Sequence, residues 1–68
     1  MSASTYSGKV KFFNDIKGYG FVTDLVSLKD YFFHFSGIID KVRKDDKVNF
    51  ELQEGPRGLK AINIKLQN

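Results

Sequence analysis

Lys17-Gly18-Tyr19-Gly20-Phe21-Val22 is followed by a second aromatic run, Tyr31-Phe32-Phe33-His34-Phe35. Side chains alternate between the two faces of a β-strand. If both runs are strands, Tyr19 and Phe21 point one way, and Phe32 and His34 share that direction when the strands pair. Gly20 and Val22 then turn to the other face, opposite Tyr31 and Phe33. Two neighbouring strands would carry four flat rings on one surface.

The flanking sequence supplies partners for these strands. Gly8 to Asn14 reads as a strand, with Val10 set between Lys9 and Lys11. Phe12-Phe13 breaks the alternation, which predicts a bulge there. Asn14-Asp15-Ile16-Lys17-Gly18 carries the residues that make turns. The second strand spans Tyr19 to Thr23, a loop spans Asp24 to Lys29, and the third strand spans Asp30 to Phe35. Ser36 to Asp46 is less regular, with Ile38, Ile39 and Val42 as inward candidates and Ser36 as a possible cap of one helical turn. A fourth strand places Val48, Phe50 and Leu52 inward and Asn49 and Glu51 outward. Glu54-Gly55-Pro56-Arg57-Gly58 is a turn. The fifth strand, Leu59 to Leu66, places Ile62, Ile64 and Leu66 on one face. Tyr31, Phe33 and Phe50 are assigned to the core.

Five short strands without a long helix predict an all-β barrel or sandwich. At 68 residues a closed barrel is favoured, because it leaves fewer exposed edges. Residues 8–68 are expected to form this one domain, behind a small, polar, flexible tail at 1–7. A chain of this size buries only about 60% of its unfolded surface, so its stability is modest. It has no cysteine, so no disulfide or Cys-based metal site exists. That composition suits a reducing, cytoplasmic setting. The N-terminus has neither the basic start nor the apolar run of a signal peptide.

Charge and aromatic content coincide. The net charge is +3, and of the ten Phe and Tyr residues eight lie between Phe12 and Phe35. Bare rings beside lysines are surfaces on which unpaired nucleobases stack. Lys17 to Val22 also fits the first six positions of the RNA-binding pattern Lys/Arg-Gly-Phe/Tyr-Gly/Ala-Phe-Val. Its glycines let nucleic acid and neighbouring backbone approach, its alternate rings stack, and its lysine meets a phosphate. The four-stranded RNA recognition module needs two helices and places this motif late, so chain order excludes it. Covering both faces of the aromatic strands would need a layer that 68 residues do not supply. An enzyme is not expected: the lone His34 has no Cys partner, Ser36 is not placed as a nucleophile, and no paired carboxylates stand among the rings. One histidine builds no zinc site, and no cofactor motif is present. A protein partner or self-association on the aromatic face is the alternative reading. Oligosaccharide binding is a third, disfavoured by the lysines beside the rings.

Three segments, Gly8-Lys9-Val10-Lys11-Phe12-Phe13-Asn14, Lys17-Gly18-Tyr19-Gly20-Phe21-Val22-Thr23 and Asp30-Tyr31-Phe32-Phe33-His34-Phe35-Ser36, resemble the bacterial cold-shock proteins. The resemblance spans residues 8–66. It implies a five-stranded antiparallel OB-fold barrel that binds single-stranded RNA and single-stranded DNA as an RNA chaperone and gene regulator; a single-strand binder whose aromatic patch stays open is expected to be a monomer. It implies a binding surface of Lys11, Phe12, Lys17, Tyr19, Phe21, Phe32, His34 and Phe35, with Arg57 reaching in from the last turn and Phe13 near the rim. This chain departs from the family pattern at several points. Phe12 stands for the usual Trp and Tyr19 for the usual Phe. Tyr31 and Phe33 replace smaller apolar residues. The segment after Ile38 is shorter and lacks an aromatic, with Lys41, Arg43 and Lys44 in its neighbourhood.

Overall fold

A computed structural model describes residues 5–56 and 58–67. Five strands, β1 (Tyr6–Asn14), β2 (Tyr19–Asp24), β3 (Asp30–His34), β4 (Lys47–Gly55) and β5 (Gly58–Leu66), close into a barrel in the order β1-β2-β3-β5-β4. Four of its five seams are antiparallel. The seam between β3 and β5 departs from the antiparallel pattern: it is parallel and short. A single 3-10 turn, Phe35–Gly37, follows β3.

The interior is built from alternate positions of the strands. Val10, Val22, Phe33, Val42, Val48, Phe50, Ala61 and Ile64 are buried. Tyr6, Phe13, Tyr31, Ile38 and Leu52 pack around them. Burying a side chain the size of Phe33 or Phe50 contributes about 1.5–3 kcal/mol. β1 begins two residues before the expected Gly8, because the Tyr6 ring stacks on Phe50 with centroids 5.7 Å apart. Val42 is buried and Ile38 partly so, as expected, but Ile39 is exposed. The helical turn begins one residue before Ser36, and its cap is His34.

Two bulges decide which residues face outward. In β1, Val10 pairs with Val22 and Phe12 with Phe21, so Lys11 is the inserted residue, one position before the expected Phe12-Phe13. A strand with period two would send Phe12 inward after Val10. The extra residue reverses the alternation: Phe12 emerges on the outside and Phe13 turns in, stacked on Phe33 at 5.6 Å. The bulged segment is held by Val10 N–H donating to the Asp46 carbonyl and Asp45 N–H donating to the Val10 carbonyl, at 2.9 and 2.8 Å.

The second bulge corrects the expected face of β5. Asn49 pairs with Lys65 and Glu51 with Ile62, which leaves Phe50 opposite both Asn63 and Ile64. Asn63 adopts φ of 52°, a left-handed conformation that Asn tolerates better than most residues. The inward residues are therefore Ala61 and Ile64, while Ile62 is half-buried and Leu66 exposed.

Candidate nucleic-acid interface

The β1–β2 turn is fixed by its first residue. Asn14 Oδ1 accepts from the N–H groups of Ile16 and Lys17 at 3.1 and 3.0 Å, and the Asn14 carbonyl accepts from Gly18 N–H at 2.7 Å. Gly18 leaves the turn at φ of 75°, a region glycine enters freely. Its carbonyl accepts from Phe35 N–H at 2.8 Å, and a Cβ on Gly18 would stand 2.7 Å from the Phe35 ring. Gly18 therefore seats Phe35. Gly20 is filled from the inside: a Cβ there would meet the Phe12 carbonyl, and would lie 2.8 Å from the Phe33 ring. Both glycines are buried. They admit the protein's own backbone and rings, and the expected approach of a ligand to these glycines has no room.

From this turn the alternation runs as expected. Tyr19 pairs with His34 and Phe21 with Phe32, so the four side chains share one face. Phe12, brought out by the bulge, joins them from β1. Its ring lies 5.5 Å from Phe21 and 6.0 Å from Tyr19. Phe32 lies 6.0 Å from Tyr19, nearly parallel to it, and 5.9 Å from Phe21, edge to face. These separations are those of mutually attractive aromatic pairs. Phe12 is 36% exposed, Phe32 39% and Phe35 58%. Tyr19 and Phe21 are half-buried because neighbouring rings flank them. His34 is exposed and lies 4.7 Å from Phe35, extending the row past the end of β3. Six of the expected residues thus form one continuous surface across β1, β2, β3 and the turn that follows. Phe13, the rim candidate, belongs to the core instead.

The cations are arranged less simply. Lys17 is exposed in the turn beside Tyr19. Lys11 is exposed but engaged: its Nζ donates to Asp30 Oδ2 at 2.8 Å, and Thr23 Oγ1 donates to Asp30 Oδ1 at 2.7 Å. The Lys11 and Thr23 hydrogen bonds hold the Asp30 carboxyl below the usual aspartate range. An exposed ion pair of this kind is worth little and is screened by salt, so a phosphate can compete for Lys11. Arg57 lies outside the described residues.

Sequence reasoning passed over one border of the surface. Phe32 pairs with Lys60 across the parallel seam. Phe32, Gly55, Pro56, Gly58, Leu59 and Lys60 line an open, largely apolar groove of about 450 Å³. No local pattern announces it, because it depends on β3 closing against β5. Among the described residues no three His, Cys, Asp or Glu side chains gather as a metal site, and no helix is long and apolar enough to cross a membrane.

The model of the 'Cold-shock' DNA-binding domain matches residues 6–67. The major cold shock protein of Micrococcus luteus is 44% identical over 61 residues, covering 84% of this chain and 91% of that protein. Cold shock-like protein CspC of Shigella flexneri and its namesake in Buchnera aphidicola are each 41% identical over 61 residues, covering 84% of this chain and 88% of theirs.

Proposed function

The chain belongs to the cold-shock domain family of nucleic-acid-binding barrels, and from that premise we propose that it holds unpaired RNA or DNA strands on its aromatic face. The observation that carries this reading is the shared outward face of Phe12, Tyr19, Phe21, Phe32 and His34, fixed by strand register. Unpaired bases stack on these rings and on Phe35. Lys17 meets phosphates at one end of the row, and Lys11 meets them by exchanging Asp30 for a phosphate oxygen. Lys60 stands at the β5 border of the same surface.

Magnitudes define what such a surface does. Each base stacked on a ring contributes about 1–3 kcal/mol. A base-pair step in a DNA duplex is held by about 1.4 kcal/mol. The two are of one size, so the protein opens short, marginal hairpins by mass action and leaves long duplexes intact. That is the work of a passive RNA chaperone, and a gene regulator, needing neither ATP nor a catalytic residue. Base preference is mild, because every base presents a π face. A cysteine-free chain of this kind suits the cytoplasm.

Titration with fluorescent oligothymidine, single-stranded and then annealed to its complement, tests the reading. Tight binding to the single strand and much weaker binding to the duplex is expected. Equal affinity for the two would overturn it, since duplex bases are already stacked.

A further inference from the structure

His34 is tied back to the chain in a specific way. Its Nδ1 accepts a hydrogen bond from Ser36 N–H at 3.2 Å, capping the 3-10 turn. Ser36 Oγ lies 2.9 Å from the same nitrogen. A backbone N–H has no role but donor, so Nδ1 uses its lone pair and bears no proton in this arrangement. The ring proton is thereby assigned to Nε2, on the side of the imidazole away from the turn. The ring itself is exposed, opposite Tyr19 in the register and against Phe35.

We propose that the backbone N–H of Ser36, seconded by its hydroxyl, locks the His34 imidazole as a one-tautomer donor for an acceptor oxygen of the bound nucleotide. This rests on the single-strand reading above and adds to it. Phe12, Phe21 and Phe32 offer only π faces, whereas the His34 position offers a π face and a directed N–H. A side chain held in one rotamer and one tautomer before binding loses less freedom on binding. The same tie fixes the ring plane for stacking. The acceptor is either a base carbonyl or a phosphate oxygen, and both present the same chemistry to Nε2–H.

The experiment has a ligand-free arm and a ligand arm. In the free protein, ¹⁵N imidazole shifts of His34 are expected to report the Nε2–H tautomer alone. In Ser36→Ala the backbone donor remains and the Nε2–H tautomer is expected to persist, whereas Ser36→Pro, which lacks that N–H, is expected to admit the second tautomer. An Nδ1–H or evenly mixed ring in the unmodified protein would overturn the proposal, as would a folded Ser36→Pro variant whose ring keeps Nε2–H alone. In the ligand arm, His34→Phe keeps a stacking ring and removes the donor. Its affinity for oligothymidine is expected to fall about fivefold, the scale of one hydrogen bond. That loss vanishes on strands carrying difluorotoluene in place of thymine if the acceptor is a carbonyl. It shrinks on methylphosphonate strands, whose remaining phosphoryl oxygen is uncharged, if the acceptor is a phosphate. A loss undiminished on both strands, or none on oligothymidine, would overturn the donor role. Failure of the stacking reading itself would appear separately, as a folded Phe21→Ala variant that binds like the parent.

Discussion

Phe32 and Phe33 are adjacent in sequence and opposite in fate, so replacing each by alanine separates binding from folding. Phe33 is fully buried and stacked on Phe13. Phe-to-Ala changes in a core cost about 3–5 kcal/mol. A chain of 68 residues has a total stability of about 3–10 kcal/mol, at roughly 0.05–0.15 kcal/mol per residue. Phe33→Ala therefore removes a large share of the stability and is expected to be partly or wholly unfolded at 25 °C. Phe32 is 39% exposed and touches Tyr19 and Phe21 only along the outer face. Its loss forfeits two aromatic pairs and some buried area, about 1–3 kcal/mol of stability. Its loss of binding is one stacked base, about 1–3 kcal/mol, or about 5- to 150-fold in Kd. Urea melts followed by far-ultraviolet circular dichroism measure the first quantity, and titration with labelled oligothymidine below the melting transition measures the second. A folded Phe32→Ala protein with unchanged affinity, or a Phe33→Ala protein as stable as the parent, would refute the assignment of the two faces.

The remaining expectations concern the charges. Asp30 is held in its ionised form chiefly by Lys11 and then Thr23, so its folded-state pKa lies below its unfolded one. Its contribution to stability is full above the unfolded value, roughly pH 3.9, and is lost as pH falls through the lower folded value. Lys11→Met removes the largest cause, so a carboxyl titration followed by NMR is expected to show the Asp30 midpoint rising. An unmoved midpoint would contradict the pairing. Affinity for single strands is expected to fall with salt, with a log–log slope near −0.7 for each phosphate neutralised. Lys17→Ala should make that slope shallower by about one such unit, and an unchanged slope would remove Lys17 from the phosphate path.

What could be read from the sequence was local. Tyr19-Gly20-Phe21-Val22 and Val48-Asn49-Phe50 alternate cleanly, and each residue lies on the face that its position dictates. The Asn14 turn was legible for the same reason, since its hydrogen bonds close within four residues. A one-residue insertion leaves no mark in a hydrophobic pattern unless two large apolar residues collide. Phe12-Phe13 signalled the first bulge to within one residue, and nothing signalled the second. At Asn63 the competing reading, with Ile62, Ile64 and Leu66 on one face, follows period two without fault. It fails because Asn63 takes a left-handed conformation that lets two residues oppose Phe50. The parallel closure of β3 on β5, which brings Leu59 and Lys60 to Phe32, is a property of the whole barrel. The ion pair of Lys11 with Asp30 is likewise non-local, and it qualifies a residue that the sequence presented as a free cation.

Mapping the bound strand onto the protein brings the site and the fold together. Amide and aromatic NMR shifts recorded during titration with oligothymidine are expected to move most at Phe12, Tyr19, Phe21, Phe32, His34 and Phe35, and little at Glu51, Asn63 and Lys65 on the β4–β5 side. Changes concentrated at Glu51, Asn63 and Lys65, with the ring signals unmoved, would contradict base stacking on the aromatic face.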